Sequence, residues 1–224
     1  MMGVELSREG EVFVLRMDEG ENRFTPDSIR AWNDALDRVE KAGAPCGLVT
    51  VGTGKFYSNG LDLEHMMGAG DPGAYLAAVM GIFARVLTFP AVSVAALNGH
   101  AFGAGGQVAL AHDFRVMRAD RGYFCMPEVD MKAPLHPGMT ALLRARLPAQ
   151  TAHEMIATGK RWGGVEACTR GIVAEALVED QVLPRALELA SELAAKADPA
   201  MAVLKRGMYR SVLDALAQPL GARA

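Results

Sequence analysis

The sequence has few of the features that mark nucleic-acid-binding, disordered or disulfide-stabilised proteins. Its 224 residues include only 6% aromatic residues and three cysteines. Lys and Arg total 23 against 26 Asp and Glu, a net charge of −3, so no basic excess is available to bind a phosphate backbone. Half of the residues are hydrophobic, which is enough for a core. The length predicts one domain, or one domain with a small appendage.

Long apolar runs and targeting signals are also missing. The richest apolar stretch, Val86–Leu97, contains Pro90 and is shorter than the roughly 20 residues that cross a bilayer. The N-terminal MMGVELSREGEV lacks a leader pattern, and the C-terminal PLGARA is not a peroxisomal or ER address. We therefore predict a cytoplasmic protein without a membrane span. The odd number and wide spacing of the cysteines predict buried thiols at Cys46, Cys125 and Cys168.

Hydrophobic periodicity predicts alternating strands and helices in the first part of the chain and mostly helices in the second. We divide it into an α/β core, residues 1–136, and a helical region, residues 137–224, which packs on the core or on a neighbouring subunit. The predicted strands are 12–17, 47–51, 91–97, 114–118 and 122–126, with extended chain at 172–178. The predicted helices begin at Thr25-Pro26, include 75–86 and 107–112, and are separated by a mobile loop at 64–73.

Two glycine-rich segments follow predicted strands, Lys55–Leu63 (KFYSNGLDL) and Asn98–Gln107 (NGHAFGAGGQ). Both arrangements can expose backbone N–H groups, and two such donors aimed at one point stabilise a developing oxyanion. The alternative is that each segment is only a tight turn. Neither fits a nucleotide motif, because Val49 and Phe56 break the phosphate-loop pattern and Val108 breaks the dinucleotide pattern.

A third segment, Cys125–Met131 (CMPEVDM), places Glu128 among apolar residues. Burial raises the pKa of a carboxyl group, as a general base near neutral pH requires. The alternatives are an exposed glutamate at a strand end, or Asp130 as the functional carboxylate. The five histidines lack metal-ligand spacing, and no G-x-S-x-G motif is present, so we predict no metal site and no serine hydrolase.

Together and in this order, the three segments resemble those of the crotonase, or enoyl-CoA hydratase/isomerase, superfamily. The resemblance runs from Phe13 to about Val178 and includes Asn22 before the first helix. It implies an α/β fold, a crotonase-like spiral of ββα units with a C-terminal helical region. It also implies an acyl-CoA substrate, a homotrimer or dimer of trimers, and no cofactor, since coenzyme A is part of the substrate.

The resemblance assigns the oxyanion hole to the backbone amides of Leu61 and Ala104 and the acid/base role to Glu128. It assigns substrate binding to Ser58, Asn59, Gly60, Leu61, Asp62, Gly103, Ala104 and Gly105. Because the chain is slightly acidic, any attraction for anionic CoA is expected to be local, through Lys55, Arg85 or Lys205.

Hydratases of this superfamily use two glutamates, whereas this sequence has Gln107 at one of the two positions. An amide does not exchange protons near pH 7, but one carboxylate suffices to move a double bond. The pattern favours a Δ3,Δ2-enoyl-CoA isomerase of fatty-acid β-oxidation. Two alternatives remain open: a hydratase with another second acid, such as Asp130, and a catalytically silent acyl-CoA-binding homologue.

Overall fold

A strand–strand–helix unit recurs along the chain within residues 3–68 and 71–219, the parts that the computed structural model describes. The strands are β1 (Val4–Glu9), β2 (Val12–Met17), β3 (Arg23–Phe24), β4 (Gly47–Gly52), β5 (Phe56–Ser58), β6 (Gly60–Leu61), β7 (Val92–Leu97), β8 (His100–Phe102), β9 (Phe114–Arg118), β10 (Phe124–Cys125) and β11 (Glu175–Leu177). The first helices are α1 (Pro26–Ala42), α2 (Leu63–Gly68), α3 (Pro72–Leu87), α4 (Ala104–Ala111) and α5 (Glu128–Met131). Each turn of the spiral therefore adds one strand to a large sheet, one to a small sheet, and a helix.

The large sheet has the order β1-β2-β4-β7-β9-β11 and is parallel except for the β1–β2 pair. Its central strands are buried on both faces, which explains their nearly continuous apolar sequences. In β4, for example, Val49 faces one core cluster and Leu48 the other. The small parallel sheet has the order β10-β8-β5, and β3 pairs with β6.

The C-terminal region begins with a helix at Pro137 and remains attached to the core. Its elements are α6 (Pro137–Arg146), α7 (Ala149–Thr158), α8 (Gly164–Thr169), α9 (Glu179–Glu192), α10 (Pro199–Met208) and α11 (Arg210–Leu216), with a 3₁₀ turn at Ala194–Lys196. Strand β11 pairs with β9, and residues of α9 such as Ala186 pack on the outer face of the large sheet. The packing of this region on the core was expected, whereas a domain boundary at residue 136 stays a prediction.

Most predicted elements are confirmed, and the differences have local causes. The sequence analysis missed β1, an edge strand whose VELSRE sequence is mostly exposed. The segment predicted as a mobile loop instead forms α2 and the start of α3, although its residues 69–70 lie outside the described residues. Helix α4 begins at Ala104, three residues before the predicted start. Its first turn is rich in glycine, which disfavours helix, so the sequence pattern did not reveal it. The predicted strand at 122–126 is reduced to Phe124–Cys125.

No helix in the described part of the chain is long and apolar enough to cross a membrane. The last residues of the PLGARA segment, 220–224, and the first two residues of the chain lie outside the described ranges. The targeting predictions made from these ends stay predictions.

Candidate active site

The three chemistry-bearing segments follow three neighbouring strands of the small sheet. Gly60-Leu61 comes after β5, Ala104 after β8 and Glu128 after β10. Because β5, β8 and β10 are parallel, their carboxyl ends lie at the same edge of the sheet. The spiral therefore brings together residues that are 24 to 67 positions apart in the sequence.

The two proposed oxyanion segments are in direct contact at Gly60. A methyl group added to its Cα would lie 2.9 Å from the backbone nitrogen of Ala104, and its φ of 84° is in the left-handed region. Both facts favour glycine at this position. The next peptide nitrogen belongs to Leu61, so the Leu61 and Ala104 segments approach each other as an oxyanion hole requires.

Ala104 is the first residue of α4, where a backbone N–H has no partner within the helix. Its N-cap residue, Gly103, provides no side chain to accept a hydrogen bond. Within the described residues, the Ala104 amide has no hydrogen-bond acceptor. This donor also lies at the positive end of the helix dipole, which favours a partial negative charge nearby.

Glu128 begins the short helix α5 beside the same turn. Its Oε1 atom lies 3.6 Å from the position that a Gly103 Cβ would occupy. Its Oε2 atom is buried and has no hydrogen-bond partner among the described residues. Burial raises the pKa of the Glu128 carboxyl, and a hydrogen bond from its own backbone opposes that shift only in part.

The segments that contain Leu61, Ala104 and Glu128 border one cavity of about 360 Å³. Five of the predicted site residues line it: Asn59, Leu61, Gly103, Ala104 and Glu128. The remaining wall is mainly apolar and is formed by residues of β8, α2, α3, α6 and the chain in and around α5. These are Leu63, Met66, Leu76, Phe102, Pro127, Met131, Ala133, Pro134 and Met139, together with Arg23 and His136.

The other predicted binding residues are absent from the described lining of this cavity and hold the turns instead. The buried Ser58 hydroxyl donates to the Asn22 carbonyl at 2.6 Å and accepts from the Gly60 amide at 3.2 Å. The Asp62 carboxylate accepts from the His65 amide, at the start of α2. Gly105 packs against the Ser58 backbone, too closely for a side chain. Their assignment to substrate binding stays a prediction.

Arg23 is a cavity residue that the sequence analysis did not identify. Its Nη1 donates to the Leu61 carbonyl at 3.0 Å, and its guanidinium also forms an ion pair with Glu21. A single arginine in a two-residue strand has no recognisable sequence pattern, so only the β3–β6 pairing reveals its place.

Two of the three cations that were expected to attract CoA, Lys205 and Arg85, are held in other contacts. Lys205 is buried, where its ammonium donates to the Phe89 and Ala91 carbonyls and to the Asp113 carboxylate. Arg85 forms ion pairs with two carboxylates of α1. The expectation for these two residues is therefore wrong, because their side chains are occupied in core and surface contacts.

Gln107 is fully buried below the cavity wall. Its Nε2 donates to the Met126 sulfur at 3.5 Å, and its Oε1 has no partner among the described residues. Asp130, the competing carboxylate, is exposed, and neither Gln107 nor Asp130 is among the described lining residues. The described ranges also contain no cluster of three or more His, Cys, Asp or Glu side chains that could hold a metal ion.

A spiral of ββα turns whose small-sheet strands end at one cavity is the crotonase fold, as predicted. A solved structure described as a probable enoyl-CoA hydratase from Mycobacterium tuberculosis superposes with a TM-score of 0.87 at 26% identity, covering 95% of this chain and 91% of the other. A second, described as an Mtb enoyl-CoA isomerase, has a TM-score of 0.88 at 25% identity, with coverages of 95% and 93%.

Sequence comparison gives the family. The profile described as Enoyl-CoA hydratase/isomerase matches residues 7–224, and the chain belongs to this family. An Arabidopsis thaliana protein named enoyl-CoA delta isomerase 2, peroxisomal, is 36% identical over 203 residues, 85% of each chain. A carnitinyl-CoA dehydratase of Salmonella enteritidis is 30% identical over 216 residues, 94% of this chain and 81% of the relative. The predicted superfamily and isomerase class of enzyme are confirmed by the isomerase relatives.

Proposed function

We propose that the protein is a Δ3,Δ2-enoyl-CoA isomerase that moves a double bond from C3 to C2 of an acyl-CoA thioester. The observation that carries this proposal is the single carboxylate, Glu128, among the described residues of the cavity wall. Its unpartnered Oε2 and raised pKa suit a group that takes and returns a proton.

In the proposed reaction, the Glu128 carboxylate removes a proton from C2 of the 3-enoyl thioester. The electron pair of the broken C–H bond moves toward the thioester and gives an enolate, whose oxygen accepts hydrogen bonds from the Leu61 and Ala104 amides. The protonated Glu128 then delivers the same proton to C4, the C3=C4 bond becomes C2=C3, and the carboxylate is regenerated. Atoms and charge balance without a cofactor.

Hydration of a 2-enoyl thioester is the competing reaction. We keep it as an outcome of the test because one relative is named a dehydratase. It uses two positioned acid/base groups, whereas the second position holds the buried amide of Gln107 and Asp130 is exposed. Both observations favour isomerisation over water addition.

The test measures conversion of 3-hexenoyl-CoA to 2-hexenoyl-CoA, in parallel with water addition to crotonyl-CoA. We expect Glu128→Gln to lower the isomerase kcat by about 10²–10⁴-fold, since a general base is lost. Asp130→Asn is the matched control, because it makes the same acid-to-amide change on an exposed carboxylate, and we expect less than a twofold effect. A wild-type protein that only hydrates crotonyl-CoA, or an active Glu128→Gln variant, would refute the proposal.

We further infer a homotrimer or dimer of trimers, which the family resemblance supports, and a cytoplasmic location. Light scattering on the purified protein tests the assembly, and a monomer at micromolar concentration would contradict it. The Arabidopsis relative is named as peroxisomal, so organelle fractionation is the direct test of location.

A further inference from the structure

The cavity wall differs between its inner end and its mouth. Leu76 of α3 and Met139 of α6 are buried, whereas Met131 and the chain after it are exposed. Ala104, the proposed hydrogen-bond donor to the thioester oxygen, is also buried. The buried lining residues Leu76 and Met139 define the inner end of the cavity, and the exposed residues from Met131 onward define its mouth.

The inner end is suited to an unbranched apolar chain. Met139 is unbranched and polarisable, and Leu76 adds an aliphatic surface. The buried polar residue beside them is His136, and both of its ring nitrogens are occupied. Nδ1 accepts from the Gly138 amide at 3.0 Å and Nε2 donates to the Gln218 carbonyl at 2.9 Å. No free polar group remains there for a substrate hydroxyl or ammonium, within the described residues.

The Met139 end of the cavity is also held in place. A methyl group added to the adjacent Gly138 would lie 2.6 Å from the Leu216 Cα, so α6 and α11 are in backbone contact. The His136–Gln218 hydrogen bond fixes the same helix start to the chain after α11. By contrast, Met66 lies in the six-residue helix α2 and is only half-buried. The wall at Met139 therefore limits the length of a bound chain.

We propose that this site selects acyl-CoAs with straight, medium-length apolar tails and that Met139 is the residue that sets the length limit. This rests on the proposed function, which places the thioester at Ala104. A volume of about 360 Å³ corresponds to roughly twelve water-sized units. Since the thioester and the first carbons use several of these units, about eight remain for the rest of the tail.

Calorimetric titration with saturated acyl-CoAs tests the proposal without requiring turnover. Butanoyl-, octanoyl- and dodecanoyl-CoA share one head group, so differences in Kd report the tail alone. Each buried methylene is expected to tighten binding about fourfold. Affinity should rise about 200-fold from butanoyl- to octanoyl-CoA and then level off before dodecanoyl-CoA. Carnitinyl-CoA, with a quaternary ammonium, should bind no tighter than butanoyl-CoA.

Two substitutions at one position then move the limit in opposite directions. The ratio of the octanoyl-CoA Kd to the dodecanoyl-CoA Kd should be at least tenfold higher for Met139→Ala than for the wild type. Met139→Phe should weaken octanoyl-CoA about tenfold and leave butanoyl-CoA unchanged. Met155→Ala is the matched control, because Met155 is equally buried but lies in α7, away from the described cavity wall. Thermal unfolding of each variant checks that it folds, and either substitution alone suffices for the test.

Three results would overturn the proposal: equal affinities for all tail lengths, a length limit unchanged by both Met139 variants, or tighter binding of carnitinyl-CoA. The outcome is independent of catalysis. Length-dependent binding without isomerase turnover would refute the proposed function and leave this inference standing. Isomerase turnover without any dependence of binding on tail length would leave the proposed function standing and refute this inference.

Discussion

The two ends of helix α4 contain the same kind of backbone groups but use them in opposite ways. At the N-terminus, the Ala104 amide faces the cavity with no acceptor in the described chain. At the C-terminus, partners occupy the carbonyls of Val108, Ala109 and Leu110. The N-terminal end thus presents a free donor that is available for chemistry, whereas the paired carbonyls at the C-terminal end contribute to stability.

The buried Arg115 and the half-buried Arg146 provide much of the pairing at the C-terminal end. Arg146 donates to the Leu110, His112 and Asp113 carbonyls at 3.0, 2.6 and 2.9 Å. Arg115 donates to the Ile172 and His112 carbonyls, and burial, the largest cause, lowers its pKa to about 9. Positive charge at the C-terminus of a helix also complements the helix dipole.

Of the two ends of α4, the larger effect on the rate is predicted at the N-terminus, where the free donor can be removed. Ala104→Pro deletes the N–H but should retain the helix, because proline is tolerated at the first helical position. We expect kcat on 3-hexenoyl-CoA to fall about 10²–10³-fold, equivalent to roughly 2.7–4 kcal/mol for one oxyanion donor. Ala149→Pro makes the same change at the exposed first residue of α7 and should be silent. Similar kcat values for the two variants would show that the Ala104 amide takes no part in the mechanism.

At the C-terminal end of α4, loss of a hydrogen-bond partner is expected to lower the free energy of unfolding and to leave kcat nearly unchanged. Arg146→Leu leaves buried carbonyls unpaired and should lower the free energy of unfolding by about 1–3 kcal/mol. The kcat of the folded enzyme should change less than threefold. Urea denaturation measures the first quantity and steady-state kinetics the second, with the exposed Arg144→Leu as control. A large fall in kcat at unchanged stability would show that the two ends are not functionally distinct.

The pH dependence of the rate should report Glu128, the carboxylate beside the free end. The base must be deprotonated, so kcat/KM falls about tenfold per pH unit below its pKa. Because burial raises this pKa, the acid limb should lie above the ordinary glutamate range. A limb in the ordinary range would contradict the burial seen here.

The same raised pKa has an effect on stability that can be measured separately. The folded protein holds the Glu128 proton more tightly than the unfolded chain does. Its contribution to stability is therefore complete below the unfolded pKa and lost as the pH rises through the folded pKa. Glu128→Gln should consequently be at least as stable as the wild type at pH 7 by thermal melting, which separates its loss of activity from misfolding.

The smallest effect is expected at His112, the buried residue that follows α4. Its Nδ1 donates to the Val108 carbonyl, and Thr50 donates to its Nε2 at 3.0 Å. Burial lowers its pKa to about 4, so the folded protein holds it neutral while the unfolded chain protonates near pH 6.5. Stability should therefore fall by about 1 kcal/mol between pH 7 and 5.5. Urea titrations of His112→Gln should show a weaker dependence over this range.

Much of the fold was predictable because its signals are local. The helix starting at Thr25-Pro26 has a capping hydroxyl that accepts from the Ser28 amide, and the apolar strand at 92–97 is covered on both faces. The edge strand β1 and the helix α2 were missed because their residues are largely polar or exposed. Their secondary structure depends on neighbouring elements rather than on an apolar pattern.

The three chemistry-bearing segments, their order, and the presence of one carboxylate with an amide at the other position are evident from the amino-acid sequence. These are matters of residue type, and Gly60 and Glu128 can be identified without coordinates. Tertiary structure alone decided which of the residues meet. It placed Arg23 and Met139 in the cavity wall and Lys205 and Ser58 in buried hydrogen-bond networks. The reason is that side-chain environment depends on strand pairing and helix packing between distant segments, which no local pattern encodes.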